Sequence, residues 1–138
     1  MNLVVDTNIL VLFFKQNPVY NIISNSNSLN LKLFVPQKAI DELEKNKKDI
    51  INYSNKTEKE IEEFTKELKQ HITVIGLDKF KEFEDEAKQL APHEKDLPFF
   101  SLALYLKSPI WSNELAFANQ SKIKILRTKD IIELMPFK

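Results

Sequence analysis

Apolar and polar positions fall in blocks whose period changes along the chain. Leu3, Val4 and Val5 form a short unbroken apolar run, the pattern of a strand buried on both faces. Residues 9–15 (ILVLFFK) predict the start of a helix, and Asn17-Pro18 has the form of a helix cap followed by a first helical residue. The polar stretch 24–30 (SNSNSLN) predicts a loop, and a second apolar strand follows at 31–35. Pro36 opens a predicted helix that carries Ala39, Ile40 and Leu43 on one face. Thr57 and Glu60 have the spacing of a capping box, and Ile61, Phe64 and Leu68 recur behind it at helical intervals.

Residues 72–75 (ITVI) predict a third strand, closed by Gly76. Phe80, Phe83, Ala87 and Leu90 are spaced for another helix. After Pro92, a helix headed by Asp96 carries Pro98 in its first turn. Phe99, Leu102, Ala103, Leu104 and Leu106 cover most of its circumference, so it should be deeply buried. Short strands at 110–112 and 123–126 and a final helical turn or two at 130–134 complete the chain. Strands alternating with helices predict the α/β class, a parallel sheet covered on both faces, in a single domain over residues 1–138.

Composition narrows the chemistry. The 138 residues suffice for a real core, and 43% hydrophobic with 29% charged residues is ordinary for a globular protein. The absence of cysteine excludes disulfides, thiolate metal sites and cysteine nucleophiles and fits a reducing compartment. With no bilayer-length apolar stretch and no signal-peptide pattern at the start, the expectation is a cytoplasmic protein without a membrane partner. A single glycine, Gly76, leaves no room for a glycine-rich phosphate loop, which excludes the usual nucleotide-binding motifs.

The net charge is zero, but its distribution is uneven. Residues 1–40 hold three lysines against one acid, residues 41–90 ten lysines against fourteen acids, and residues 91–138 seven bases against five acids. The cluster Lys122, Lys124, Arg127 and Lys129 reads equally as a phosphate contact or as lysines guarding a strand edge. Lys45, Lys47 and Lys48 read as a solvated helix end or as a guide for a phosphate backbone.

Four carboxylates stand apart, because they fall at element boundaries or beside core positions. Asp6 ends the first strand, Glu42 precedes the core residue Leu43, Asp96 heads the buried helix, and Glu114 follows the fourth strand. In open α/β sheets the carboxyl ends of the strands are where ligands bind. Converging carboxylates repel and raise one another's pKa. Hard divalent cations relieve that repulsion, since Mg²⁺ and Mn²⁺ prefer oxygen ligands. Local alternatives stay open at each position: Asp6 and Asp96 as helix N-caps, Asp41 as the rival of Glu42, and Glu114 as a loop acid. Trp111, inside an apolar strand, reads as core rather than as a base-stacking platform. His71 and His93 have no metal-ligand spacing.

Four segments resemble the PIN-domain family in order: VVDTNIL, PQKAIDELEK, KDLPFFSLALYL and PIWSNELAF. The resemblance covers the whole chain and places the family's acids at Asp6, Glu42, Asp96 and Glu114. Glu114 departs from the usual aspartate, and Asn8 matches the polar residue after the first acid, positioned to hydrogen-bond a carboxylate or a metal-held water. It implies a three-layer α/β/α fold with strand order 3-2-1-4-5 and an acidic pocket at the carboxyl edge of the sheet. It also implies a Mg²⁺- or Mn²⁺-dependent ribonuclease using one or two ions, which leaves 5′-phosphate and 3′-hydroxyl ends. The implied partners are an RNA substrate, a second copy in a homodimer, and a small antitoxin protein if the chain is the toxin of a pair. Residues 9–14 and 20–23 are the apolar candidates for such an interface, with core packing as their other reading. A catalytically silent PIN-like module that binds RNA or protein is the alternative. A haloacid-type phosphatase would need a second aspartate where Asn8 stands, and a receiver domain an aspartate where Gly76 ends the third strand.

Overall fold

The computed structural model describes residues 1–136, so Phe137 and Lys138, the end of the expected domain, lie outside the described residues. Leu3, Val4 and Val5 are wholly inaccessible and form β1 (Asn2–Val5). It lies at the centre of a five-stranded sheet of order β3-β2-β1-β4-β5, with β2 (Lys32–Pro36), β3 (Ile72–Ile75), β4 (Ile110–Trp111) and β5 (Ile125–Leu126). Every pairing is parallel, with Val4 opposite both Phe34 of β2 and Ile110 of β4. This is the three-layer α/β/α arrangement and the strand order expected from the sequence.

The helices are α1 (Thr7–Leu12), α2 (Pro18–Ser24), α3 (Gln37–Lys45), α4 (Lys47–Ser54), α5 (Glu58–His71), α6 (Glu84–Lys88), α7 (Leu97–Leu106) and α8 (Thr128–Leu134). The chain builds β1, β2 and β3 outward in one direction, then returns through α7 to lay β4 on the other side of β1. That reversal creates a switch point at the carboxyl ends of β1 and β4, the crevice where open α/β sheets take ligands. α7 packs on β1, β2 and β4, and Phe99, Phe100, Leu102 and Ala103 are buried, as expected of a helix apolar on most faces.

Several boundaries differ from the pattern. The first helix runs from Thr7 to Leu12 and tightens into i→i−3 bonds at its end, Phe13 N to Leu10 O and Phe14 N to Val11 O, with Phe13 and Phe14 buried. The helix expected over Phe80–Leu90 is broken into two 3₁₀ turns (Leu77–Lys79 and Lys81–Phe83) and the five-residue α6. Short isolated helices are marginal; the buried Phe80 (φ −129°, ψ 5°) separates the two 3₁₀ turns, and Phe83 (φ −91°, ψ 0°) stands between the second turn and α6. α4 answers to no strong sequence pattern and ends at Asn55 in the left-handed region (φ 57°), a cap asparagine tolerates. Lys47 is engaged by Glu58 at 3.1 Å and Glu62 at 3.3 Å, which ties α4 to α5. Ile9, Leu10, Phe13, Phe14, Ile22 and Ile23 belong to the core. Trp111 is fully buried, and its indole N–H donates to Thr128 Oγ1 at 3.1 Å. Among the described residues no helix is long and apolar enough to cross a membrane.

Candidate active site

Adjacent parallel strands bring Asp6 and Ser112 together, since each directly follows its strand. The Asp6 amide donates to Trp111 O at 3.1 Å, which extends the ladder by one step. Ser112 Oγ donates to Asp6 Oδ2 at 3.0 Å and accepts from the Glu114 amide at 3.1 Å. One buried hydroxyl thus fixes the first acid and the turn that carries the fourth.

Asp6 and Asp96 both stand at N-cap positions, of α1 and α7, and neither side chain makes a cap hydrogen bond. At Asp96 no bond supports the capping reading; at Asp6 the Asn8 amide, at the second helical position, still bears on the carboxyl and lowers its pKa. Asp6 is 5% and Asp96 7% exposed. Burial pushes the Asp6 carboxyl up to about 6; the Ser112 hydroxyl opposes this, and the charges of Asp96 and Glu114 add to it. Burial also raises Asp96, with Lys95 and His93 pulling down and Glu114 pushing up. Asp6, Asp96 and Glu114 thus share one electrostatic neighbourhood. Among the described residues none of the three, nor Glu42, forms an ion pair with a basic side chain.

Glu42 reaches the site indirectly. Thr7, the residue after Asp6, donates its hydroxyl to Glu42 Oε1 at 2.9 Å. One turn earlier on α3, Lys38 Nζ donates to Lys95 O at 3.0 Å, which holds the turn that carries Asp96. Across the site, Asn8 Nδ2 donates to Glu114 Oε1 at 2.9 Å, a carboxylate partner of the kind expected for Asn8. Among the described residues no three acids or histidines close into a ready-made coordination shell. Asp6, Asp96 and Glu114 stand at the starts of helical turns and Glu42 on α3, so the oxygen donors come from separate elements. Such a donor set suits hard divalent cations.

Sequence reasoning missed Thr7, Ser112 and Lys38. The first two lie inside the DTN and WSN segments, where a hydroxyl beside an acid was the available signal. Lys38 carried no signal. Of the basic residues near the end of the chain, Lys122 pairs with Glu86 and Arg127 with Asp130.

Residues 4–132 match the PIN domain, and the chain belongs to the PIN-domain family. That family is generally made of nucleases that use divalent metal ions. Among solved structures, the crystal structure of VapBC2 from Rickettsia felis bound to a DNA fragment from their promoter contains a similar chain. The TM-score is 0.67 at 18% identity, over 92% of this chain and 98% of that one. At that identity the likeness concerns the fold. No curated protein matches the chain.

Proposed function

We propose that the protein is a Mg²⁺- or Mn²⁺-dependent ribonuclease in which Asp6, Glu42, Asp96 and Glu114 hold one or two ions. The observation that carries this reading is the pair of buried acids, Asp6 and Asp96, both raised chiefly by burial and further by nearby carboxylates, with no basic side chain in an ion pair with either among the described residues. A cation in the crevice would supply positive charge against their repulsion, a lowered pKa for water, and a counter-charge for the phosphoryl oxygens. The remaining work falls to the chain. Ser112 holds the Asp6 carboxylate in place, Thr7 holds Glu42, and Asn8 holds Glu114. Lys95, beside Asp96, provides positive charge for a phosphate backbone. No side-chain nucleophile is required.

The similar solved chain belongs to a toxin–antitoxin complex, which supports a small antitoxin as partner and a role as its toxin. A homodimer and a cytoplasmic site of action complete the proposal, with the whole chain acting as one domain. Purified protein with Mn²⁺ is expected to cut single-stranded RNA, and Asp6→Asn to abolish the cut. Equal cleavage by the variant overturns the assignment. Calorimetry that finds no Mn²⁺ binding dependent on these carboxylates would instead support the silent RNA- or protein-binding module.

A further inference from the structure

Leu115 directly follows Glu114 and is 72% exposed. A single exposed leucine is unremarkable on a protein surface, but this one sits on the rim of the proposed site. It borders an open cleft of about 560 Å³, whose walls include Asn8, Ile9, Leu12, Asn113 and Ala116 beside Glu114. We propose that this cleft seats the unpaired base of a nucleotide flanking the cleaved bond, with Leu115 as its apolar platform. The inference rests on the nuclease reading and names the feature of the substrate that reading leaves open.

Charge decides which part of a nucleotide fits. No lysine or arginine lines the cleft, and its one ionisable side chain is the acid Glu114. Away from an ion held at Glu114, a phosphate there would find no cationic side chain. The lysines near the site are Lys95, beside Asp96, and Lys38, bonded to the Lys95 carbonyl, while Arg127, next to the Thr128 that meets Asn113, is paired with Asp130. The backbone is therefore drawn to the Asp96 side, and the uncharged base is left for the Glu114 side. The cleft also carries polar groups for a base edge. Asn113 Oδ1 accepts the Thr128 amide at 2.9 Å, so its NH₂ group stays free to donate among the described residues. Asn8 spends its NH₂ on Glu114 and keeps its amide oxygen as an acceptor. An apolar floor with one donor and one acceptor suits a base splayed from a single strand, since paired bases keep their faces stacked and their Watson–Crick edges spent on each other.

The test is a double-mutant cycle between protein and substrate. Wild type and Leu115→Ser are assayed with Mn²⁺ on a single-stranded RNA and on copies carrying an abasic residue at each position flanking the cut. With wild type, one abasic position should lower kcat/KM about fivefold to tenfold, in the lower range of base contacts. Leu115→Ser should show a similar loss on the intact RNA, chiefly in KM, and no further loss on that abasic copy. Its melting temperature and calorimetric Mn²⁺ affinity should match wild type, because the side chain lies outside the core and the acid cluster. Cleavage by wild type without this coupling overturns the base-seat inference alone. Loss of a protein–protein contact in Leu115→Ser without coupling also overturns it, and gives the surface to a second chain. Absence of cleavage by wild type overturns the nuclease reading and this inference with it.

Discussion

At the scale of single residues, Asp6 sets the stability of the site against its chemistry. Its carboxyl titrates near 6 in the folded chain against an ordinary 3.8, so the folded state holds the proton more tightly than the unfolded state. Below about pH 4 both states are protonated and the burial costs little. As pH rises from about 4 to about 6 the unfolded chain ionises first, and stability falls. Above that window the full cost remains, about 3 kcal/mol for a shift of about two units. Asp6→Asn keeps an acceptor for Ser112 and removes the charge. In chelator, the variant should therefore be more stable than wild type at pH 7.5 by about 2–3 kcal/mol and nearly equal to it at pH 4. Urea unfolding at the two pH values checks this; a variant less stable at pH 7.5 refutes it. The four acids and Asn8 were legible because boundary acids in a fixed order are a local signal. Ser112 and Thr7 were not, because their partners lie 106 and 35 residues away and only the folded sheet brings them within reach.

At the scale of elements, α3 is the part that joins the halves of the site. It reaches α1 through Thr7–Glu42 and the Asp96 turn through Lys38–Lys95. Replacing Thr7 with valine keeps the volume and removes the hydroxyl, which leaves Glu42 without that donor. Partners that orient metal ligands are typically worth ten- to a hundredfold in affinity, so Thr7→Val should weaken Mn²⁺ binding by about tenfold by calorimetry. Unchanged affinity would place Glu42 outside the metal set. The amphipathic register of α3, with Ala39, Ile40 and Leu43 buried, could be read from sequence. The broken segment before α7 could not, since the helical spacing of Phe80, Phe83, Ala87 and Leu90 contains no sign of the breaks at Phe80 and Phe83.

At the scale of the whole molecule, the neutral total charge conceals a local excess of negative charge at the switch point. A ligand that binds only the folded state stabilises it by mass action. Mn²⁺ at about a hundredfold over its dissociation constant should add about 2.7 kcal/mol to wild type, seen as a rise in melting temperature that chelator reverses. Asp6→Asn should show little of that rise. An equal rise in both proteins would locate the binding elsewhere. The strand order was accessible through family resemblance, whereas alternation of strands and helices alone fixed only a parallel sheet. Which strands become neighbours is decided by the return of the chain through α7, a long-range event without a local signature.

That return has a consequence for the life of the chain. On the nuclease reading the site needs the acids at positions 6, 42, 96 and 114, and the last of them arrives only when β4 docks beside β1. A ribosome that has released only the first two-thirds of the protein has made no scissors, since half the blade is still unwritten. A fragment truncated before α7 lacks Glu114 and the β4 strand that carries it, and should neither bind Mn²⁺ at the site nor cut RNA.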